Sequence, residues 1–340
     1  MVTLADVARH AGVAAGTVSH VLSGKRSTSA ATRERIQHGI EQLGYRPHAG
    51  ARALASSRTD VLALMMPLRT GIHAPVLMEI ATAVTTTARA HGYDVLLLTG
   101  EEGPEAIRRV DGSALADAFI VTDVGLDDPR LPSLKAAERP SVLIGRPADT
   151  SGLSCVDLDF EAAGARCVDH LAALGHRQIA VLGEPPAVCA RGTGSAERTL
   201  RGLRTAAAAH GAGLLHRPTA AGHAAVAAML TRVFEERPAT TALVVRNEAA
   251  VEPLLTVLRR DGRAVPEDVS LFAVCAGQSA AQASAPLTSI GVPAQEMGRR
   301  AVERLVAQLG GQEPPGTVLL APEVDDRGST GPAPTAAPAR

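Results

Sequence analysis

The sequence predicts an α/β protein in which a small helical domain precedes a larger core. Three observations predict this class. Short apolar stripes of helical period occupy the first 46 residues, and from Val61 onward continuous apolar runs alternate with helix-length segments. Such runs are typical of parallel strands that are covered on both faces. The chain of 340 residues is also 46% apolar, which is enough to build the buried core that this class requires.

Three short helices are predicted in the N-terminal 46 residues. The first has Thr3 as its N-cap, Asp6 in its first turn and Gly12 as the break that follows it. The third begins after the candidate cap Ser29 and ends at Gly44. The apolar stripes of the three helices are Leu4, Val7, Ala8 and Ala11, then Val18, Val21 and Leu22, then Ile36, Ile40 and Leu43. Two short helices joined by a glycine-containing turn indicate a helix-turn-helix, and three such helices can enclose one small core.

Charge separates this head from the rest of the chain. Residues 1–60 contain eight Lys or Arg residues and four acids, a net charge of +4, whereas the whole chain carries −1. The second helix offers Thr17, Ser19 and His20, short polar groups that suit phosphates and base edges. Any small helical bundle would show the same periodicity, but the local positive charge favours a DNA-binding head.

The core is predicted as two consecutive series of strands and helices. In the first, strands at 61–66, 95–98, 118–121 and 141–145 alternate with helices at 76–91 and 105–113. In the second, strands at 154–158, 178–183, 241–245, 269–274 and 317–321 alternate with helices at 161–174, 196–210, 224–235, 249–261 and 294–309. The alternation predicts parallel sheets with helices on both faces. Residues 327–340, rich in Pro, Ala and Gly, are predicted to be a disordered tail.

A series of segments, spread over nearly the whole chain, matches one known family in order and spacing. They are LADVARHAGVAAGTVSHVLSG, TRERI, LGYRP, ARALASSRT, VDLDFEAAGARCVDHLAALGHRQIAVLG, RNEAA, VPEDVSL, PLTSI and EMGRRAVERL. Together they resemble the LacI/GalR family of bacterial transcription regulators. The resemblance implies a helix-turn-helix head (1–46), a hinge helix or linker (47–59), and a periplasmic-binding-protein-like core of two α/β subdomains (60–326) with an effector cleft between them.

The resemblance also implies roles in DNA binding for residues of the head. The recognition helix is expected at Ala15–Ser23, with Ala15, Gly16 and His20 at the base-reading positions in the major groove. Contacts to the DNA backbone are expected from Thr3, Thr17, Ser19, Lys25, Arg26, Ser29, Thr32 and Tyr45, although any one of these could be a solvated surface group. Two positions depart from the family pattern, because His20 replaces the usual Arg and Ala14 the usual capping Ser. A packing role for His20 stays open.

Residues 48–57 are short and rich in Ala and contain Gly50, so their composition is compatible with an unstructured linker. The resemblance makes this stretch a hinge helix that folds when two copies pair on DNA. Arg52 and Leu54 match the family's ARxL pattern. In that pattern the leucine wedges between the central base pairs in the minor groove, which unstacks a step and bends the duplex.

The core departs most strongly from the family at the expected effector site. The usual Asn-Pro-Phe segment is His-Ala-Pro-Val at 73–76, the usual clamping Arg is Thr199, and two usual carboxylates are Cys275 and Ala276. A polyol needs several aimed donors and acceptors, since each unpaired buried hydroxyl costs about 1–3 kcal/mol. We therefore expect an anionic or partly apolar effector rather than a simple neutral sugar. Candidate contacts are His73, Asp123, Arg146, Arg191, Arg198 and Asn247, each of which could equally be a surface or structural residue.

The sequence gives no support for an enzyme, a metal site or a cofactor. The four cysteines, at 155, 167, 189 and 275, form no CxxC pair, which favours reduced buried thiols. The GTG at 192–194 falls short of a phosphate-binding fingerprint, and no GxSxG nucleophile motif occurs. No signal pattern begins the chain and no apolar run approaches the ~20 residues of a membrane span, so we expect a soluble cytoplasmic protein.

These observations predict a sequence-specific transcription regulator, most simply a repressor, that binds a near-palindromic operator as a homodimer under the control of a small effector. Two alternatives stay open. A dimeric DNA-binding regulator without an effector is compatible with the altered cleft. A solute receptor built on the same core is disfavoured by the basic head and the missing signal pattern.

Overall fold

The computed structural model describes residues 2–23, 28–45, 58–68, 74–100 and 103–334. The predictions made for Lys25, Arg26, Arg52, Leu54 and His73 lie outside these residues, as does most of the predicted hinge.

The head consists of three helices, α1 (Leu4–Ala11), α2 (Ala15–Ser23) and α3 (Ala30–Leu43), as predicted. Thr3 caps α1 in a reciprocal capping box with Asp6, and Ser29 caps α3 by accepting a hydrogen bond from the Thr32 amide at 3.3 Å. Gly12 turns the chain between α1 and α2 with a φ of 61°, a left-handed conformation that favours glycine. The buried residues of the head are Val7, Ala8, Ala11, Val18, Ile36 and Tyr45.

The core alternates strands and helices. Its strands are β1 (Val61–Met65), β2 (Asp94–Leu98), β3 (Ala118–Val121), β4 (Ser141–Ile144), β5 (Ser154–Leu158), β6 (Gln178–Gly183), β7 (Gly213–Pro218), β8 (Ala242–Val245), β9 (Ser270–Ala276), β10 (Thr288–Val292), β11 (Thr317–Leu320) and β12 (Val324–Asp325). The helices of the core are α4 (Ala74–Ala90), α5 (Pro104–Gly112), α6 (Leu131–Ala136), α7 (Phe160–Ala173), α8 (Pro186–Cys189), α9 (Gly194–Ala209), α10 (His223–Glu236), α11 (Val251–Arg260), α12 (Gly277–Gln282) and α13 (Ala294–Leu309).

These elements form two sheets, each the centre of one subdomain. The N-terminal sheet has the order β11-β5-β4-β3-β1-β2 and is parallel throughout. The C-terminal sheet has the order β12-β10-β9-β8-β6-β7, in which β12 alone of its described strands is antiparallel to its neighbour. Strands β3 and β9 are buried along their whole length, because helices cover both faces of each sheet.

The predicted division into two consecutive series is wrong in its details. Strand β5 was expected to open the second series, but it pairs with β4 in the N-terminal sheet. Strand β11 was expected to close the second series, but it pairs with β5. Helix α13 packs on the N-terminal sheet through buried Met297 and Leu305. The chain therefore crosses between subdomains three times, after β5, after β10 and after β11. Periodicity predicts that a strand is buried but not which sheet it joins, and it also missed β7, β10 and the short β12.

The disordered tail was predicted to begin at residue 327, but residues 327–334 are ordered. Ser329 is 4% exposed, donates to the Leu271 carbonyl at 2.6 Å and accepts from the Thr288 amide at 2.8 Å. The Ala333 amide donates to the Leu174 carbonyl at 2.8 Å. Residues 327–334 are thus packed against the C-terminal subdomain, because their backbone groups find partners there that composition does not reveal.

The four cysteines are free thiols, and Cys155, Cys167 and Cys275 are buried. Burial raises the pKa of Cys155 to about 11 and that of Cys275 to about 12, so both are protonated near neutral pH. They contribute to the core as small apolar side chains, as the sequence predicts. Among the described residues, no helix is both long and apolar enough to cross a membrane.

Candidate nucleic-acid interface and effector cleft

The predicted base-reading residues share one exposed face of α2. Ala15, Gly16 and His20 are exposed, whereas Val18 is buried beneath them in the head core. Thr17 and Ser19 are half-buried at the margins of this face. The arrangement follows from the helical period, because Val18 anchors α2 and thereby turns these three residues outward. The roles of these residues in DNA recognition stay predictions.

Gly16 is not required by the packing of the head. A Cβ built on Gly16 would meet nothing within 4 Å, and its backbone is helical. Gly16 is the second residue of α2, and glycine favours helix less than alanine, so the protein alone would favour alanine here. The open space above Gly16 is instead what a close approach of DNA to the helix backbone would require.

The four other predicted backbone contacts among the described residues divide into two groups. Thr3, Ser29 and Thr32 lie at exposed helix starts, where their hydroxyl groups make local hydrogen bonds; Ser29 Oγ and Thr32 Oγ1 are 2.8 Å apart. Amides at helix starts also favour an anion, so these positions are compatible with a phosphate. Tyr45 differs, because it is only 9% exposed and belongs to the head core. Its side chain packs in the head, and its contact to the DNA backbone stays a prediction.

A cleft of about 180 Å³ lies between the two subdomains. It opens where parallel strands end, since Asp123 follows β3, Arg146 follows β4, Glu184 follows β6 and Arg246 follows β8. Its apolar wall consists of Val76, Leu77, Ile80, Val124, Ile144, Phe160, Val188, Val292 and Met297. Its other lining residues are Thr122, Asp123, Gly145, Arg146, Asp157, Glu184, Arg191, Thr193, Ser195 and Arg246. The volume lies below the about 300–1,000 Å³ of typical ligand pockets and suits a small molecule.

Three of the predicted effector contacts line this cleft, namely Asp123, Arg146 and Arg191. The Nε atoms of Arg146 and Arg191 are buried and have no hydrogen-bond partner among the described residues. Arg146 belongs to the N-terminal subdomain and Arg191 to the C-terminal one. Each subdomain therefore contributes one guanidinium group whose hydrogen-bonding capacity the protein leaves partly unused.

Arg246 is a cleft residue that the sequence reasoning missed. Its Nε donates to Glu184 Oε1 at 2.7 Å, and its Nη1 donates to Thr199 Oγ1. The guanidinium carbon also lies 5.6 Å from the centre of the Phe160 ring, within the range of a cation–π contact. The chain has Thr199 where the family usually has an arginine. Arg246 thus brings a guanidinium group to Thr199 from a different element, the end of β8.

Asp157, on β5, is a second missed residue. It is 2% exposed, and burial raises its pKa to about 7, although the nearby Arg198 and Arg146 oppose this shift. Near neutral pH this carboxyl group is therefore divided between its charged and uncharged forms. The cleft is therefore lined by three arginines, Arg146, Arg191 and Arg246, and by the carboxyl groups of Asp123, Glu184 and Asp157.

Two predicted effector contacts are structural instead. Arg198 is 6% exposed and donates to the carbonyls of Arg146 and Pro147 at 2.7 and 2.8 Å. Asn247 is 2% exposed and donates to the Thr219 carbonyl at 2.7 Å. Neither lines the cleft. Both side chains are directed into the protein, because buried backbone carbonyls there need donors.

One signal in the sequence could have found the missed residues. Polar residues that directly follow parallel strands gather at one edge of a sheet. Glu184 directly follows β6, and Arg246 directly follows β8. The family's arginine position is occupied by Thr199, and the prediction therefore chose the neighbouring Arg198. The side chain of Arg198 does not line the cleft but donates to the carbonyls of Arg146 and Pro147.

Comparisons with known proteins agree with this architecture. Residues 3–48 match the bacterial regulatory proteins of the lacI family, and residues 168–330 match the periplasmic binding protein-like domain. The HTH-type transcriptional regulator CelR of Thermobifida fusca is 33% identical over 324 residues, 91% of this chain and 92% of that protein. The HTH-type transcriptional regulator AglR of Rhizobium meliloti is 30% identical over 353 residues, 99% of this chain and 96% of that protein.

Solved structures give the same result. The Lac repressor dimer bound to operator and an anti-inducer superposes with a TM-score of 0.81 at 26% identity, covering 97% of this chain and 99% of that one. The complex of the regulator CelR with cellobiose superposes with a TM-score of 0.68 at 29% identity, covering 97% of this chain and 100% of that one. A helix-turn-helix head in front of two α/β subdomains with a cleft between them defines a DNA-binding transcription regulator rather than an enzyme. The chain belongs to the LacI family.

Proposed function

We propose that this regulator is a repressor that binds a near-palindromic operator as a homodimer and is controlled by a small anionic effector in the inter-subdomain cleft. The observation that carries the proposal is the pair of partly unused guanidinium groups, Arg146 and Arg191, on opposite sides of that cleft. Binding to chromosomal DNA implies action in the cytoplasm.

The charges of the cleft support an anion. Glu184 is matched by Arg246, and Asp157 is partly neutral near pH 7. The remaining carboxyl group that lines the cleft is that of Asp123. Guanidinium groups bind carboxylate and phosphate oxygens in a bidentate manner, so a small molecule with such a group satisfies both arginines. Since the two arginines belong to different subdomains, a bound anion would also offset their mutual repulsion and draw the subdomains together.

The surface of α4 supports the dimer. Met78 is 54% exposed, and Thr82, Thr85 and Thr86 follow it on the same face. These exposed Met and Thr side chains are uncharged and are bordered by Glu79 and Arg299, and an uncharged centre with a charged rim is typical of subunit interfaces. A near-palindromic operator follows from a two-fold dimer, because each copy reads one half-site.

The repressor role is tested first with DNA. Selection of binding sites from random duplexes by the full chain should yield an inverted repeat, and the oligomeric state on that repeat should be two chains. Transcription in vitro from a promoter that overlaps the repeat should then fall as protein is added. An increase in transcription would contradict repression.

The effector is tested by calorimetry on the full chain with citrate, inorganic phosphate, glucose 6-phosphate, glucose and cellobiose. We expect measurable binding from at least one anion, reduced at least tenfold in Arg146→Gln and in Arg191→Gln. Arg108→Gln is the matched control, because Arg108 is exposed on α5, pairs with Glu105 and donates to Ser133, and does not line the cleft. Micromolar binding of an uncharged sugar, with release of DNA, would contradict the anionic effector. Loss of every ligand signal with intact operator binding would favour a dimeric regulator without an effector.

A further inference from the structure

The two subdomains meet along a seam beside the cleft. On the N-terminal side the seam consists of residues 124–126 and 145–148, and on the C-terminal side of residues 191–194 and Arg198. Gly125 and Thr193 form an isolated antiparallel bridge, and the Leu126 amide donates to the Gly192 carbonyl at 3.2 Å. The Ala148 amide donates to the Leu126 carbonyl at 2.9 Å, which joins the two N-terminal loops to each other.

Arg198 makes the shortest hydrogen bonds across this seam. From α9 of the C-terminal subdomain its Nη1 and Nη2 donate to the carbonyls of Arg146 and Pro147 at 2.7 and 2.8 Å. The side chain is 6% exposed, so water competes little for these bonds. Hydrogen bonds from an ionised donor are stronger than neutral ones, and a planar guanidinium fixes the direction of both.

Gly194 makes room for this arrangement. A Cβ at Gly194 would lie 2.5 Å from Arg198 Nη1 and 2.8 Å from the Arg146 carbonyl oxygen. Its backbone φ is outside the left-handed region, so local conformation does not require glycine here. The absence of a side chain at the first residue of α9 is explained by the seam.

The seam and the effector cleft share residues. The carbonyl of Arg146 is held by Arg198, while its guanidinium group lines the cleft. Arg191 also lines the cleft and directly precedes Gly192, whose carbonyl accepts the bond from Leu126. A molecule that binds either arginine therefore contacts the loops that join the subdomains.

We propose that Arg198 is a positioning residue that couples occupancy of the cleft to the relative placement of the two subdomains, and so to operator binding. The proposal rests on the proposed control of DNA binding by the cleft. Arg198 acts through the loop at 145–148 and touches neither effector nor DNA. Breaking its two bonds frees the N-terminal subdomain, which is the one that continues into the hinge, to sample more orientations. Operator binding must then order it again, which lowers affinity.

The test uses the full chain with Arg198→Met, Arg198→Lys and Gly194→Ala. Arg201→Gln is the control, because Arg201 is an exposed arginine of the same helix that pairs with Glu161 at the surface. The rates of hydrogen exchange at the Leu126 and Ala148 amides report whether the hydrogen bonds of the seam stay closed. Affinity for the selected operator and for random duplex reports DNA binding. We expect Arg198→Met and Gly194→Ala to speed exchange at both amides and to lower operator affinity about tenfold. Affinity for random duplex stays unchanged, and Arg198→Lys recovers part of the loss.

Faster exchange with wild-type operator affinity would overturn the coupling and leave Arg198 as a structural residue only. Unchanged exchange in both Arg198→Met and Gly194→Ala would overturn its role in the seam. If the wild-type chain selects no operator, the proposed function fails, whereas the exchange measurement still decides whether Arg198 joins the subdomains.

Discussion

Replacing Gly202 with alanine tests the packing that places the seam and the cleft. Helices α7 and α9 meet backbone to backbone at two glycines. A Cβ at Gly202 would lie 1.9 Å from the Glu161 carbonyl oxygen and 3.0 Å from the Ala165 amide nitrogen. A Cβ at Gly164, on the facing helix, would lie 2.2 Å from the Thr199 carbonyl oxygen. These neighbours are backbone atoms, which cannot turn aside as a flexible side chain can.

Since real Cβ contacts are not shorter than 3.0 Å, Gly202→Ala must separate the helices by more than 1 Å. Overpacking of this kind costs about 1–3 kcal/mol, and backbone contact places the variant at the upper end, about 3 kcal/mol. At about 2–4 °C per kcal/mol for a domain of this size, the melting temperature should fall by about 6–12 °C. Helix α9 carries Arg198 and Thr199, so operator affinity should fall as well.

Thermal unfolding followed by circular dichroism and calorimetry measures the effect. Gly112→Ala is the matched control, because a Cβ at this helical position would meet nothing within 4 Å. That control should melt at or slightly above the wild-type temperature, since alanine favours helix. A Gly202→Ala variant that melts within 2 °C of the wild type, about 1 kcal/mol or less, would refute the reasoning.

Four further predictions concern DNA binding and the cleft. His20→Ala should relax base preference at one position of each half-site by about 1–3 kcal/mol, and identical motifs from site selection with both variants would return His20 to packing. Leu54→Ala should lower operator affinity while the salt-dependent binding to random duplex persists, so an undiminished operator preference rules out the minor-groove wedge. Asp117 accepts hydrogen bonds from the Thr59 amide and hydroxyl at 2.7 and 2.8 Å and from the Asp60 amide at 2.9 Å. Asp117→Ala should therefore loosen the chain where it leaves the hinge and lower operator affinity. Equal operator affinities of the variant and the wild type would contradict this. Because the pKa of Asp157 is raised from 3.8 to about 7, its contribution to stability is full below about pH 4 and is lost as pH rises through about 7. Asp157→Asn should remove that loss, and melting temperatures of the two proteins from pH 4 to 8 should diverge as pH rises.

The sequence by itself determined the local structure of this protein. The head helices follow from apolar spacing and from Thr3, Gly12 and Ser29, whose effects are confined to hydrogen bonds within three or four residues of each. Burial of the core strands follows from continuous apolar runs, for the same local reason. The family resemblance, carried by short motifs, extended this knowledge to the class of protein.

The tertiary structure alone decided which sheet each strand joins and which arginine serves which purpose. Strand β11 reads as a continuation of the second series, yet its partner β5 lies in the first sheet. Arg198 was expected in the cleft and instead holds the carbonyls of Arg146 and Pro147, whereas Arg246 was overlooked and reaches Glu184 and Thr199. The physical reason is the same in both cases. Strand pairing and the direction of a long side chain are fixed by partners that are distant in sequence, and local pattern carries no information about them.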